Sequence, residues 1–317
     1  MWKIASVLMV SLVAFPVDAE TFPSKSIRML VPFAPGGATD TFARVLGAQV
    51  SERLGQQVVI ENRPGAGTTI AAELVAKAAP DGHTLLFTDM STHAITASLY
   101  KKLSYDPVKS FSAVALAASS PMMLVAHPSF NVKSIPQLIA TAKKHREIPY
   151  GSSGNGTVTH LAVESLKTRT GIDLVHVPFK GGTSSVTSVL TGDIAVAIAT
   201  IPAVLPFVND HRLVALAVTS AKRAPQLPQI PAVAETVSGF NAAVINGVLV
   251  PARTTKEVVN LLNGEFNRAG ESPRAKEIFS ANAAEAVKIS AAELQDMLAR
   301  DVTRWAEVVR VSGAQVN

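Results

Sequence analysis

Three short stretches of this sequence share one construction, in which an aliphatic run gives way to glycines and small polar residues and then to a helical period. They are Pro32-Phe-Ala-Pro-Gly-Gly-Ala-Thr-Asp40, Gly151-Ser-Ser-Gly-Asn-Gly-Thr157 and Pro178-Phe-Lys-Gly-Gly-Thr183. At such a strand-to-helix junction the first backbone N–H groups of the helix have no partner and lie at the positive end of the helix dipole. That makes an anion site without an arginine. Glycine lets a ligand approach the main chain closely, and Ser152, Ser153, Thr157 and Thr183 add hydroxyl donors. The chemistry expected is capture of a small di- or tricarboxylic acid by amides and hydroxyls. In an open parallel sheet such loops meet at the carboxyl ends of the strands.

The titratable residues nearby have roles that the spacing leaves open. His160 stands one turn into a helix, three residues after Thr157, and either faces the ligand loop or braces it. Asp40 caps the first helix, fixes its loop or touches ligand. Lys180 supplies a positive charge or is solvated. Asp89, with Ser91, Thr92 and His93, follows a strand at the level of the first loop, and facing a cleft it would repel a carboxylate.

Common catalytic signatures are missing. Centring a hydrolase elbow on Ser153 gives Gly151-Ser-Ser-Gly-Asn155, which lacks the final glycine. Lys180-Gly-Gly-Thr183 lacks the order of a phosphate loop, no His-Glu-x-x-His occurs, and the seven histidines do not cluster at metal-ligand spacing. The chain has no cysteine, which excludes disulfides, zinc–cysteine sites and a thiol nucleophile. No cofactor or metal is expected, and the protein is not expected to be an enzyme. The competing enzymatic reading is an exported hydrolase or lyase using His160 with Ser152 or Ser153.

These loops need a scaffold. Val-, Ile- and Leu-rich runs alternate with helical periods, which is the pattern of βα units on a largely parallel sheet. Strands are expected at 27–33, 58–60, 84–88, 122–126, 174–177, 194–199, 214–218 and 244–250. The first helix carries Phe42, Val45, Leu46, Val50 and Leu54 on one face and stops at Gly55. Another runs from Thr157 to Gly171, and Ser290-Ala-Ala-Glu293 has the spacing of a capping box. A length of 317 residues, 48% apolar and 17% charged, suits two globular domains. The net charge of +5 comes without a basic run, so nucleic acid is not an expected partner. Residues 1–19 read as a cleaved secretory signal: Lys3, the apolar run Ile4–Ala14, and small residues around Val17-Asp-Ala19. The apolar run falls well short of the ~20 residues a membrane span needs.

The motifs together resemble one family, the Bug-type extracytoplasmic receptors of tripartite tricarboxylate transporters. The resemblance begins at Pro32–Asp40. It continues through Glu61-Asn-Arg-Pro-Gly-Ala-Gly67, Ala79-Pro-Asp-Gly82, Leu103-Ser-Tyr-Asp-Pro107, Gly151–Thr157 with His160-Leu161, Val177–Gly182, and Leu216-Ala-Val-Thr-Ser220. It implies a type II periplasmic binding protein with two α/β lobes, each a mostly parallel sheet flanked by helices, joined by two crossing strands. Lobe one would hold 20–120 and 244–317, and lobe two 121–243. The resemblance also implies carboxylate capture by Phe33, Ala34, Gly36 and Gly37, by Ser152, Ser153, Gly156 and Thr157, and by Lys180, Gly181, Gly182 and Thr183. A monomer delivering its ligand to membrane permease subunits is implied, with ligand sensing for a membrane kinase as the alternative. Two positions depart from the family's habit. Asp89 stands where relatives carry a small uncharged residue, and the stretch Ile245-Asn-Gly247 lacks their aromatic residue before the glycine.

Overall fold

The computed structural model describes residues 21–145 and 147–314, so the export segment expected at 1–19 lies outside the described residues. The first half runs β1 (Ile27–Val31), α1 (Ala38–Leu54), β2 (Val58–Asn62), α2 (Thr69–Ala76), β3 (Thr84–Asp89) and α3 (Met90–Leu99). The long strand β4 (Phe111–Ala126) follows. Next come α4 (Ile135–Lys144), β5 (Ile148–Ser152), α5 (Val158–Thr170), β6 (Leu174–Pro178), α6 (Gly182–Leu190), β7 (Val196–Thr200), α7 (Ile201–Asn209) and β8 (Val214–Val218). The chain closes with β9 (Ala243–Pro251), α8 (Lys256–Gly270), α9 (Pro273–Ala281), β10 (Glu285–Ala286) and α10 (Ala291–Ser312).

The strand order is β2-β1-β3-β9-β4-β7-β5-β6, with β8 and β10 also on β4. β1, β2 and β3 are mutually parallel, as are β5, β6 and β7. Between these groups stand the antiparallel β4 and β9. β4 belongs to both ladders: Phe111–Pro121 pairs with β9, and Met122–Ala126 with β7 and β8. Pro121 has no N–H to give a ladder, and it sits where the partner strand changes. Thr219 ties this crossing. Its backbone N–H donates to the Met122 carbonyl, its hydroxyl oxygen accepts from Met122 N (2.9 Å), and its hydroxyl donates to the Ala242 carbonyl (2.7 Å) just before β9.

The helices end where the glycines stand. Gly55 closes α1 at φ +67° and Gly171 closes α5 at φ +66°, and Ser290 with Glu293 forms the capping box of α10. Phe42, Leu46 and Val50 of α1 are buried, with Phe42 edge-on to Phe279 at 5.0 Å. One apolar cluster spans both ladders, from Leu30 and Leu86 through Ala94, Leu298 and Trp305 to Leu161 and Leu166.

Several elements differ from expectation. α3 begins without a loop after β3, and nine-tenths of its faces are apolar or buried, so no polar side marks its period. β4 begins at Phe111, well before Met122, because its first half is alanine-rich and carries no alternation. α7 forms despite Pro202 at its start and Pro206 inside it. Gly151 and Ser152 close β5 rather than open a loop, and β1 stops at Val31. Phe42→Ala should lower unfolding free energy by about 3–5 kcal/mol, read by denaturant titration with an unchanged slope. A loss below about 1 kcal/mol would show that this contact does not hold α1 to α9.

Candidate functional site

The three glycine loops come to one end of the strands and are linked through hydrogen bonds. Phe179 N donates to the Ser152 carbonyl at 3.2 Å, joining the ends of β5 and β6. Val158 N, the first helical amide of α5, donates to Thr92 Oγ1 at 3.3 Å, joining α5 to α3. Continuing the parallel register of Leu30 with Leu86 brings Phe33 level with Asp89. Thus the β1–α1, β3–α3, β5–α5 and β6–α6 junctions are neighbours.

The helix starts at these junctions are of two kinds. α1 begins at Gly37 and α6 at Gly181, and neither has a side-chain cap. Gly36 at φ +84° and Gly181 at φ +122° hold conformations that a Cβ would strain, and each has open space where that Cβ would stand. Ala34, Gly36, Gly37, Lys180 and Thr183 are exposed, while Phe33, Gly181 and Gly182 are half-buried. At these junctions the chain supplies no side-chain cap of its own.

Asp40 is fully used in building the first loop. Buried, it accepts from Gly36 N (2.9 Å), from two nitrogens of Arg44 (3.0 and 2.9 Å) and from Asn62 Nδ2 (2.8 Å). Burial alone would raise its pKa, but the Arg44, Gly36 and Asn62 bonds together hold it below the usual carboxylate range. Asn62 also donates to the Phe33 carbonyl at 3.0 Å. Asp40 therefore positions the loop, the role its spacing allowed, and Arg44 and Asn62 are partners that the spacing did not single out.

The remaining two starts are capped by the chain itself. Thr157 caps α5, its oxygen accepting from His160 N, while its hydroxyl donates to the Gly154 carbonyl at 2.8 Å. Half-buried Ser153 lies against Thr159 Oγ1 at 2.6 Å, and Ser153 N donates to the same oxygen. Asp89 caps α3. Its carboxylate accepts from Ser91 N and Thr92 N (each 3.2 Å), from Thr92 Oγ1 (2.5 Å) and from Ile245 N (3.0 Å). Complete burial raises the Asp89 pKa to about 6, and these bonds counter only part of that. Asp89 and Thr92, at the level of the first loop, spend their polar atoms on each other, on the main chain and on α5. Ser91 is buried with its hydroxyl toward the Ala243 carbonyl at 3.4 Å.

Behind the α5 loop lies a polar cluster. Buried Ser152 meets His176 Nε2 at 2.6 Å, and the His176 ring stacks on His160 at 3.8 Å. His160 Nδ1 accepts from Gly156 N at 3.2 Å, so its remaining ring proton is on Nε2, 3.9 Å from Glu164. Glu164 also receives Tyr150 Oη (2.8 Å) and Lys167 Nζ (3.0 Å). Burial lowers the His160 pKa to about 4 and that of His176 to about 3, so both rings are neutral. His160 is thus a brace for Gly156. The Ser152 hydroxyl is taken up by His176 and by the main chain of Gly154, so the Ser–His pair serves the loop. His176 was hidden in an ordinary strand alternation. Among the described residues no group of three or more His, Cys, Asp or Glu is arranged to hold a metal, and no helix is long and apolar enough to cross a membrane.

Two buried side chains beside this constellation carry unpaired polar atoms. Asn246 of β9 has zero exposure and both amide atoms unpaired, as is Ser120 Oγ on β4. Each unsatisfied buried polar group costs about 1–3 kcal/mol.

The model of the tripartite tricarboxylate transporter family receptor, TctC, matches residues 42–313. The chain belongs to the TctC receptor family. It is 36% identical over 307 residues to Protein BugT of Bordetella pertussis, covering 96% of this chain and 94% of BugT. R. palustris Rpa4515, solved with adipate, superposes with a TM-score of 0.86 at 34% identity, covering 93% of this chain and all of that one. The periplasmic binding protein BugD gives 0.84 at 32% identity, covering 93% and 99%. TctC proteins are solute-binding receptors rather than enzymes, which removes the hydrolase reading.

The two neutral imidazoles set a pH dependence. A base whose folded pKa is depressed stabilises the fold above its unfolded value, near 6.5, and that contribution is lost as pH falls toward about 4. In denaturant unfolding from pH 7 to 4.5, His176→Gln should lose less stability than the unaltered protein. Equal slopes would mean that His176 does not titrate as a buried group. Asp89 has the opposite sign: its raised pKa gives stability that is complete below about 4 and lost as pH rises through about 6.

Proposed function

We propose that this TctC protein is a periplasmic receptor that captures a small organic carboxylate between two lobes. It then hands the ligand to the membrane permease of a tripartite tricarboxylate transporter. The observation that carries the reading is the pair of uncapped helix starts at Gly37 and Gly181, set beside the hydroxyl-rich α5 loop in a chain of this family. Backbone amides of the Phe33–Gly37 loop other than that of Gly36, which Asp40 takes, and of Lys180–Thr183, with the Ser153 hydroxyl, would hold a carboxylate in the way helix termini hold anions. Adipate in Rpa4515 is a ligand of that chemistry.

The lobes in this reading are 20–120 with 244–317, and 121–243, and the receptor works as a monomer. The division is supported by the change of ladder at Pro121–Met122 and by β9 beginning at Ala243. β4 and β9, tied by Thr219, form the hinge. The Thr92–Val158 bond crosses from one lobe to the other. A ligand shifts such a hinge only through its stronger affinity for the closed form. No covalent step is involved.

Calorimetry and thermal shift against mono-, di- and tricarboxylates should give binding with stabilisation. Ser153→Ala should weaken it about tenfold, by removing one hydrogen bond to a charged group. Indifference to every organic acid would overturn the reading. Loss of binding in Lys180→Ala as complete as in a variant that buries the Gly181 amide would show that a charged side chain, not the main chain, does the holding.

A further inference from the structure

Asn246 is an asparagine with zero exposure, and neither its donor nor its acceptor has a partner. Its place in the sheet explains what it is for. On antiparallel ladders, residues directly opposite each other put their side chains on the same face. Asn246 is opposite Asp89 on β3 and opposite Ala118 on β4. Ser120, two residues along β4 and opposite Val244, shares that face, and its hydroxyl is also buried and unpaired. Asp89 is the last residue of β3, and Phe33 of the first glycine loop is level with it. Three unpaired polar atoms therefore lie at the end of the sheet from which the glycine loops leave, beside the crossing strands.

The charge around them is fixed. Asp89 keeps all its acceptor positions on Ser91, Thr92 and Ile245, so it offers a ligand no hydrogen bond. It also occupies the start of α3, so that helix end cannot receive a ligand anion. The other cross-strand neighbour of Asn246 is Ala118, which brings no cation. A second carboxylate arriving here would meet a neutral amide, a hydroxyl and a resident negative charge in a dry site. A carboxamide or hydroxyl would meet its complement, because the amide of Asn246 offers one donor side and one acceptor side.

We propose that Asn246 and Ser120 form a subsite for an uncharged hydrogen-bonding group at the far end of the ligand, so that the receptor selects a monocarboxylate ending in a carboxamide or hydroxyl over a dicarboxylate. This rests on the carboxylate-capture reading above. The glycine loops take the charged end, and the floor of the cleft reads the other.

Matched probes on one skeleton test it: adipate, its half-amide 6-amino-6-oxohexanoate, and hexanoate, with the corresponding four- and five-carbon sets to allow for length. Titration calorimetry should find the half-amide of the best-fitting length about tenfold tighter than both the diacid and the plain acid. Asn246→Leu should erase that preference while keeping hexanoate-type binding. Its empty form should melt about 2–4 °C higher, since unpaired buried polar atoms are replaced by apolar ones of similar size. Asp89→Asn should move affinity toward the diacid several-fold. Equal binding of diacid and half-amide, or a preference that survives Asn246→Leu, overturns the subsite and leaves the receptor reading intact. Binding of no carboxylate in any set overturns the receptor reading, and the subsite with it.

Discussion

Every helix start leaves amides that need an acceptor, and this molecule is arranged around which of those amides the chain satisfies itself. At α5 it supplies Thr157, and at α3 it supplies Asp89, both buried. At α1 and α6 it supplies only glycine. A buried polar group without a partner costs about 1–3 kcal/mol, so amides left open must face solvent or a ligand. Around the loops before α1 and α6, the exposed Gly37 and Lys180 and the half-buried Gly181 meet that condition. The contrast between capped and uncapped starts is what sets the loops before α1 and α6 apart from those before α3 and α5.

Keeping those open starts in place takes a buried supporting shell. Asp40 holds the first loop from below through Gly36, with Arg44 and Asn62 fixing the carboxylate in turn. His160 holds Gly156, and His176 packs on His160 while binding Ser152. Each of these side chains fixes the main chain of its loop through hydrogen bonds of its own. The ring pair is neutral because a charged imidazole buried there would lack the water that stabilises it.

The two halves are joined more closely than two crossing strands require. Thr219 binds both β4 and the lead-in to β9, Thr92 reaches the first amide of α5, and one apolar cluster runs from Leu86 through Leu298 to Leu161. Opening a cleft against these contacts would expose apolar area at roughly 25 cal/mol per Å². The Thr92–Val158 bond, at 3.3 Å, is a polar part of the same contact.

Much of this was legible in the residues themselves. The three glycine loops, the first helix with its stop at Gly55, the α5 span from Thr157 to Gly171 and the capping box at Ser290 are local signals, because turn geometry and capping depend on nearest neighbours in the chain. The family resemblance rested on the order of such signals, and the TctC match bears it out. What only the tertiary structure decided are pairings made over long separations. Asp89 turns inward to Ile245, Ser152 meets His176, Phe111–Pro121 becomes half of a shared strand, and Asn246 is buried without a partner. Residue type and spacing carry no information on which face of a strand meets which neighbour far away in the chain. That is fixed by the ladder register and by which helix covers each face.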